Sequence, residues 1–415
     1  MNEVGQHPDE KRFEEHIEKH LNSIGFKSID FNEYDRDLSL IPDEFISFIK
    51  ESQPEKWESL KQQYQEDTEE KVVKRLSSEI GKHSLIHVLR NRLSDKGVHL
   101  DTFYRQPKSS LNPEHETLYK KNRFVIVRQL HFSPNTEQSV DIGLFLNGIP
   151  LLTIELKNQL TGQNIKHSEN QYRYDRSPKE KLFNFKRCLV HFGVDNDKVS
   201  MTTKLSGKST RFFPYNKGIE NPDTGGYKSE YLWKEILTPD SLSDIIENFI
   251  HVLIEEEKVY NQKTDKIETK STEVLIFPRF HQLEVVRKLR EQIKVDGVGT
   301  NYLIQHTTGS GKSLEIGWLS HLLTSLYQKD GDTKRMFDSV IVITDRIVLD
   351  KQLQKTIKSL EQTSGVVKLV DKNSEQLKNY LESGKNIVVT TIQKFPFISE
   401  TISKMGNRKF GVMTL

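Results

Sequence analysis

Val140-Asp-Ile-Gly-Leu-Phe-Leu-Asn-Gly-Ile-Pro-Leu-Leu-Thr-Ile-Glu-Leu-Lys157 reads as two short apolar arms around Asn147-Gly148, a pair suited to the positive φ angles of a tight hairpin turn. Ile142, Leu144 and Leu146 alternate on the first arm, and Leu152, Ile154 and Leu156 on the second. All six numbers are even. For both apolar rows to cover one core, even residues must face even residues across the ladder, because a one-residue slip would put a whole row in water. The same parity collects Asp141, Gly143, Thr153, Glu155 and Lys157 on the other face. A strict two-residue loop would pair 146 with 149 and break the parity. The hairpin is therefore predicted to carry either a three-residue loop with a Gly148 bulge or a compensating bulge.

Two carboxylates and an ammonium on one strand pair have a chemistry available to them. Asp141 and Glu155 offer hard oxygen ligands to Mg2+, and Lys157 can stabilise negative charge developing on a phosphate, a combination that suits phosphodiester hydrolysis. A solvated strand face is the plainer alternative. The E/D-x-K triplet alone is uninformative, since Glu69-Glu-Lys71, Glu256-Glu-Lys258, Glu268-Thr-Lys270 and Asp332-Thr-Lys334 also match. None of those follows an apolar strand with an upstream Asp on the matching face.

Around this hairpin the chain has 415 residues, implying two or three domains at ~150 residues each. With 61 basic against 59 acidic residues the net charge is +2, so no global field draws it to nucleic acid or to an anionic membrane. Any DNA contact must come from local patches. The single Cys188 excludes an internal disulfide framework and suits a reducing cytosol. No apolar leader opens the chain and no stretch approaches ~18 apolar residues, which argues against secretion and membrane spanning and for the cytoplasm.

Phe13, Ile17, Leu21 and Ile24 fall at helical spacing before Gly25, so a helix is predicted there. Residues 51–98 read as surface helices, and Phe124–Val127 and Cys188–Phe192 as strands. A helical pattern runs from Pro239 to Tyr260, through Leu242, Ile245, Ile246, Phe249, Ile250 and Leu253, before polar Asn261–Thr272. The predicted organisation is a mixed α/β domain over 1–260, a polar linker over 261–272 and a second domain over 273–415. In the second domain, strand-like Tyr302–Ile304, Val340–Ile343 and Asn386–Val389 alternate with helical stretches, as in a parallel α/β sheet.

Tyr302-Leu-Ile-Gln-His-Thr-Thr-Gly-Ser-Gly-Lys-Ser313 passes from a predicted strand through a glycine-rich turn into a helix. Thr308, Gly309, Ser310 and Gly311 can turn backbone N–H groups toward phosphate, Lys312 can reach the β and γ oxygens of ATP, and Ser313 can ligate Mg2+. A strict phosphate-loop pattern would have Gly where His306 stands.

The D-x13-E-x-K pattern resembles the PD-(D/E)xK nuclease superfamily, with Val140 where many members have Pro. That resemblance implies Asp141 and Glu155 as metal ligands and Lys157 as a catalytic residue. It also implies a catalytic Gln171 within Asn170-Gln-Tyr-Arg-Tyr-Asp-Arg176, with Tyr172 and Tyr174 both open for the tyrosine, and Glu14 as a helical acid whose plainer reading is a solvated charge. Thr308–Ser313 resembles superfamily 2 helicases. So do Phe277-Pro-Arg-Phe-His-Gln282, implying adenine contacts from Arg279 and Gln282, Ile343-Thr-Asp-Arg-Ile-Val-Leu-Asp-Lys-Gln352 as a DNA-facing motif, and Thr390-Thr-Ile-Gln-Lys-Phe395.

In this order the two halves resemble the R subunit of type I restriction enzymes; type III subunits place the motor first. The resemblance implies a mixed-sheet PD-(D/E)xK nuclease followed by a partial RecA-like parallel domain. It implies a type I site-specific deoxyribonuclease cutting double-stranded DNA with Mg2+, driven by ATP, and working with modification (methyltransferase) and specificity subunits. Lys409-Phe-Gly-Val-Met-Thr-Leu415 reads as the start of a strand that the family continues into Asp-Glu-x-His, so this reading expects a fragment or frameshift product that binds ATP, barely hydrolyses it and cannot translocate. A non-catalytic remnant and a stand-alone repair helicase–nuclease are the rival readings. Plasmid nicking separates the first rival and co-purifying partners the second.

Overall fold

A computed structural model describes residues 8–107, 112–223, 225–261, 266–328, 332, 334–344, 347–361, 365–370, 372–394, 405, 406 and 408–414, without the side chains of 8, 9, 261 and 347–352. The chain divides into two compact units that meet in sequence at Arg279 and Phe280.

The first unit is built on a seven-stranded mixed sheet, in the order β1 (Phe26–Ser28), β4 (Phe124–His131), β5 (Ser139–Leu146), β6 (Ile149–Leu156), β7 (Val190–Val194), β8 (Val199–Thr202) and β9 (Phe213–Pro214). β2 (Leu93–Asp95) and β3 (Val98–Leu100) form a small separate hairpin. The predicted N-terminal helix is α1 (Pro8–Ser23), with Phe13, Ile17 and Leu21 buried. Residues 42–91 form α2 (Pro42–Ser52), α3 (Pro54–Tyr64), α4 (Thr68–Lys82) and α5 (Leu85–Asn91). Their sparse aliphatics, Leu60, Val72, Leu76 and Leu85 among them, are fully buried. α6 (Pro113–Tyr119) precedes β4, and α7 (Ile165–Tyr174) follows β6 and packs on β6 and β7.

The hairpin takes the compensating form. Asn147 and Gly148 make a two-residue loop at φ 51° and 75°, and Leu146 faces Ile149. The ladder slips between Leu144 and Phe145, and Leu144 then faces Leu152, Gly143 faces Thr153 and Ile142 faces Ile154. Leu151 is the extra residue, next to Pro150, whose missing N–H suits a bulge. The parity demanded by the apolar rows is thus restored within two rungs. Unlike most turns this one is buried: Asn147 donates to the Thr102 carbonyl at 2.9 Å and its side-chain oxygen accepts the Arg123 N–H at 2.7 Å. Every residue of β6 is buried, so the polar row is an interior surface rather than a solvated one.

Two expectations fail between residues 239 and 276. The helical run ends early, as α8 (Pro239–Asp244) and a π-turn over Ile245–Phe249. From there β10 (His251–Asn261) pairs antiparallel with β11 (Lys266–Ile276) in an eleven-rung ribbon. Lys266–Thr272, predicted as linker, is strand, and the domain boundary falls after it. Both strands are exposed over most of their length, so neither face selects the apolar alternation by which strands are recognised.

The second unit holds a four-stranded parallel sheet in the order β13 (Val367–Leu369), β14 (Ile387–Thr391), β12 (Ser339–Thr344) and β15 (Phe410–Thr414). α9 (Phe280–Asp296) and α10 (Lys312–Leu323) precede β12, and α11 (Ile347–Ser359) and α12 (Ser374–Glu382) lie between β12 and β13 and between β13 and β14. Apolar clusters on the sheet include Val342, Leu353, Ile357 and Val389 in one, and Ile341, Leu377 and Val388 in another. Among the described residues Tyr302–Ile304, predicted as strand, joins no ladder, and Leu303 is 95% exposed. An extended run without a neighbour to take its N–H and C=O groups gains nothing over hydration. Asp345 and Arg346 of the DNA-facing motif and Phe395 of the second helicase-like segment lie outside the described residues, as do Leu415 and the side chains of Ile347–Gln352. No helix among the described residues is long and apolar enough to cross a membrane.

Candidate active site

Gly143 faces Thr153, so by strand alternation Asp141 and Glu155, two residues away in each strand, lie on that same sheet face. The first is partly and the second fully buried. Asp141 Oδ2 accepts the Leu156 N–H at 2.6 Å, which holds its side chain against the neighbouring strand. Gly193 faces Glu155 from β7, and a Cβ there would stand 2.5 Å from Ser168 Oγ of α7. The missing side chain lets α7 close over the acid.

Glu155 Oε1 accepts from Arg176 Nε at 2.6 Å, and Arg176 also donates to the Ser139 carbonyl at 2.7 Å. The second oxygen of Glu155 and the side-chain oxygen of Gln171 are buried without a hydrogen-bond partner among the described residues. Lys157, 5% exposed, has its N–H fixed by Val194 O at 2.8 Å, and its ammonium lies 3.6 Å from Glu10. α1 supplies a further acid. Glu14 is fully buried, and Gln129 Nε2 bridges it to Asp141, at 2.8 Å from Glu14 Oε1 and 3.3 Å from Asp141 Oδ1. Glu14 also accepts from Arg128 at 3.1 Å, so the reading of it as a solvated charge is corrected.

The electrostatics follow from this burial. Desolvation is the main cause that lifts the Glu155 carboxyl from 4.5 to about 8; Asp141 adds to it, and Arg176 and Lys157 oppose it. Desolvation and the charge of Asp141 likewise lift Glu14 to about 7. Both groups hold a proton more tightly folded than unfolded, so their contribution favours the fold below pH 4.5 and is lost as pH rises through 7 and 8. The urea midpoint of the metal-free protein is therefore expected to fall between pH 5 and pH 8, and Glu155→Gln to flatten that fall. An unchanged pH profile in Glu155→Gln would remove the assignment.

Of the two candidate tyrosines, Tyr172 is buried, and its hydroxyl lies 2.8 Å from Thr153 Oγ1, which is 2.8 Å from His191 Nδ1. Tyr174 is 62% exposed. Only Tyr172 reaches the row of the acids. Arg176, Gln129, Arg128 and Glu10 were not singled out from sequence; Arg176 stood within the quoted 170–176 stretch, but nothing local marks it as a partner of Glu155.

In the second unit Thr307–Gly309 are exposed, Gly309 and Gly311 adopt φ 80° and 93°, and α10 begins at Lys312. Lys312 Nζ donates to the carbonyls of His306 and Thr307, both at 3.1 Å. Gln282 is buried and donates to Ser310 O at 2.9 Å, and a Cβ on Gly311 would stand 2.2 Å from its Nε2. Gln282 thus meets the glycine-rich loop. Arg279 lies over the Phe213 ring, 5.7 Å from its centroid, in the first unit. Ser313 sits in the first turn of α10.

Comparison with known proteins agrees with this division. Residues 9–210 match the family described as type I restriction enzyme R protein N terminus, and residues 281–414 match the SWI2/SNF2 ATPase. A putative type I restriction enzyme endonuclease subunit of Methanocaldococcus jannaschii is 27% identical over 90% of this chain and 35% of its own length. Endonuclease subunits from Staphylococcus saprophyticus and Haemophilus influenzae are 29% and 28% identical over 66% and 67% of the chain, and 26% of their own lengths. The chain thus spans about a third or less of these relatives. One polypeptide thus joins a region similar to the type I restriction enzyme R protein N terminus to a region similar to the SWI2/SNF2 ATPase.

Proposed function

We propose that the first unit is a Mg2+-dependent endonuclease of the PD-(D/E)xK type that hydrolyses double-stranded DNA as part of a type I restriction R protein. The observation that carries this reading is Glu155 Oε2, buried and without a hydrogen-bond partner among the described residues, on the sheet face that also carries Asp141 and Lys157. Acceptors left bare in the interior are costly unless a cation or a donor meets them. A hard divalent ion suits that oxygen set, with Asp141 and Glu155 as its ligands. Bound there, it would supply positive charge at the scissile phosphate and a more acidic water.

The protein's own groups do the rest. Arg176 fixes one oxygen of Glu155, and the other is left without a hydrogen-bond partner among the described residues. The Lys157 ammonium stabilises charge on the phosphate, Gln171 orients water or substrate, and Glu14, through Gln129, holds Asp141 in place. In the second unit Thr308–Ser313 cradle the phosphates of ATP, Lys312 exchanging its loop carbonyls for phosphate oxygens, and Gln282 supports the loop from α9 rather than reading the base alone. Arg279 remains the proposed adenine contact, and Ser313 the ligand for a nucleotide-bound Mg2+. In the complete cytoplasmic enzyme, translocation and cleavage would work with modification and specificity subunits.

The test is nicking of supercoiled plasmid by the full chain with and without Mg2+. Cutting that needs the ion and falls at least ~100-fold in Asp141→Ala supports the reading. No cutting, or cutting indifferent to Asp141→Ala, leaves a protein that binds without cleaving.

A further inference from the structure

Beside the phosphate loop, three side chains able to bind metal converge from three segments: His281 from the first turn of α9, His306 from the run before the loop, and Glu315 from the first turn of α10. His306 Nδ1 lies 3.0 and 3.1 Å from the two Glu315 oxygens, and His281 Nε2 lies 3.9 Å from Oε1. One donor atom from each residue falls within 4.8 Å of the others. Glu315 is 6% exposed, and the histidines are partly buried.

We propose that His281, His306 and Glu315 form a binding site for a borderline transition-metal ion of the Zn2+ class, separate from the oxygen sites for Mg2+. Two imidazoles and one carboxylate are a poor set for Mg2+ and a good one for Zn2+, and three protein ligands leave a fourth position open. Tetrahedral bonds of ~2.0–2.1 Å set donors about 3.4 Å apart, and the separations of 3.0 and 3.9 Å bracket that value. A buried carboxylate needs compensating charge, and a divalent ion held by two neutral imidazoles supplies it. A plain histidine–carboxylate hydrogen bond accounts for His306 and Glu315, and His281 has Ser310 O at 3.0 Å; the metal reading rests on the convergence of all three donors on one point.

The site has a consequence for the loop. His281 Nε2 now lies 3.0 Å from Ser310 O, the carbonyl that also accepts from Gln282. Ligation requires that nitrogen unprotonated, so loading the site breaks the His281 link while Gln282 keeps the carbonyl satisfied. The metal-free and loaded forms therefore differ in one bond joining α9 to the phosphate loop.

The experiment is a titration of the full chain carrying Asp141→Ala, which removes the carboxylate site of the first unit, with Co2+ read by its visible absorption. Expected is stoichiometric binding with the intense bands of tetrahedral cobalt, reversed by Zn2+ and untouched by excess Mg2+. Since loss of an outer-shell partner alone costs 10–100-fold in affinity, His306→Ala and Glu315→Gln should each weaken binding by about 100-fold or more. His281→Gln, at a partly exposed position, gives the same readout without risk to the fold. Absence of the tetrahedral bands, or their persistence at full strength in His281→Gln, overturns the proposal.

Discussion

Lys157→Ala is expected to slow Mg2+-dependent plasmid cleavage by about 10²–10³-fold, the range for losing one preorganised charge stabiliser in a desolvated site. The side chain is 5% exposed and its backbone is pinned to β7, so the ammonium is held where water screens it little. It also opposes the upward shift of the Glu155 carboxyl. Without it Glu155 should keep its proton to still higher pH, and a ligand that must ionise to bind a cation then binds more weakly. Two readouts should move together: the rate at saturating Mg2+ falls, and the Mg2+ concentration giving half the maximal rate rises. Lys157→Arg, which keeps the charge but not the shape, should recover part of the second and little of the first. Cleavage by Lys157→Ala at the parental rate would remove the lysine from the mechanism.

Gly148→Ala should unfold the first unit. The residue sits at φ 75°, where a Cβ costs roughly 1–2 kcal/mol. That Cβ would also stand 2.3 Å from the Ile41 carbonyl and 2.8 Å from the Phe45 N–H, atoms that the start of α2 cannot withdraw. The contact is tight because the turn is part of the core: the Ile41 N–H donates to Gly148 O at 2.8 Å. Steric overlap with backbone adds a cost of about 1–3 kcal/mol or more, and the sum is a large fraction of the ~5–15 kcal/mol that holds a domain together. Circular dichroism and urea titration should show a protein unfolded or far below the parental midpoint. A midpoint equal to the parent's would mean that α2 does not pack on the turn as described.

How much of this was legible beforehand can be judged residue by residue. The even-number rule at 142, 144, 152 and 154 carries real information because burial on one face leaves a strand only one acceptable phase. It required a bulge and left its place open. The depth of the polar row was not legible, because covering it depends on α7, and α7 approaches through Gly193, distant in sequence from the acids. Arg176 was hidden for the same reason: its partner Glu155 lies twenty-one positions away. Apolar periodicity at Leu242–Leu253 overran the true helix end, since a strand beginning at His251 can share the same spacing for a few residues. Before the phosphate loop, Tyr302–Ile304 has strand composition and no strand neighbour among the described residues, and composition carries no knowledge of neighbours.

The surplus residue at Leu151 has an evolutionary corollary. It absorbs the odd count between the reversal at Asn147-Gly148 and the acid rungs, so the two ends of the hairpin are phased separately. Descendants of this gene could gain or lose a residue at the tip, with the slack taken up at the slip, and still deliver aspartate and glutamate to the same address.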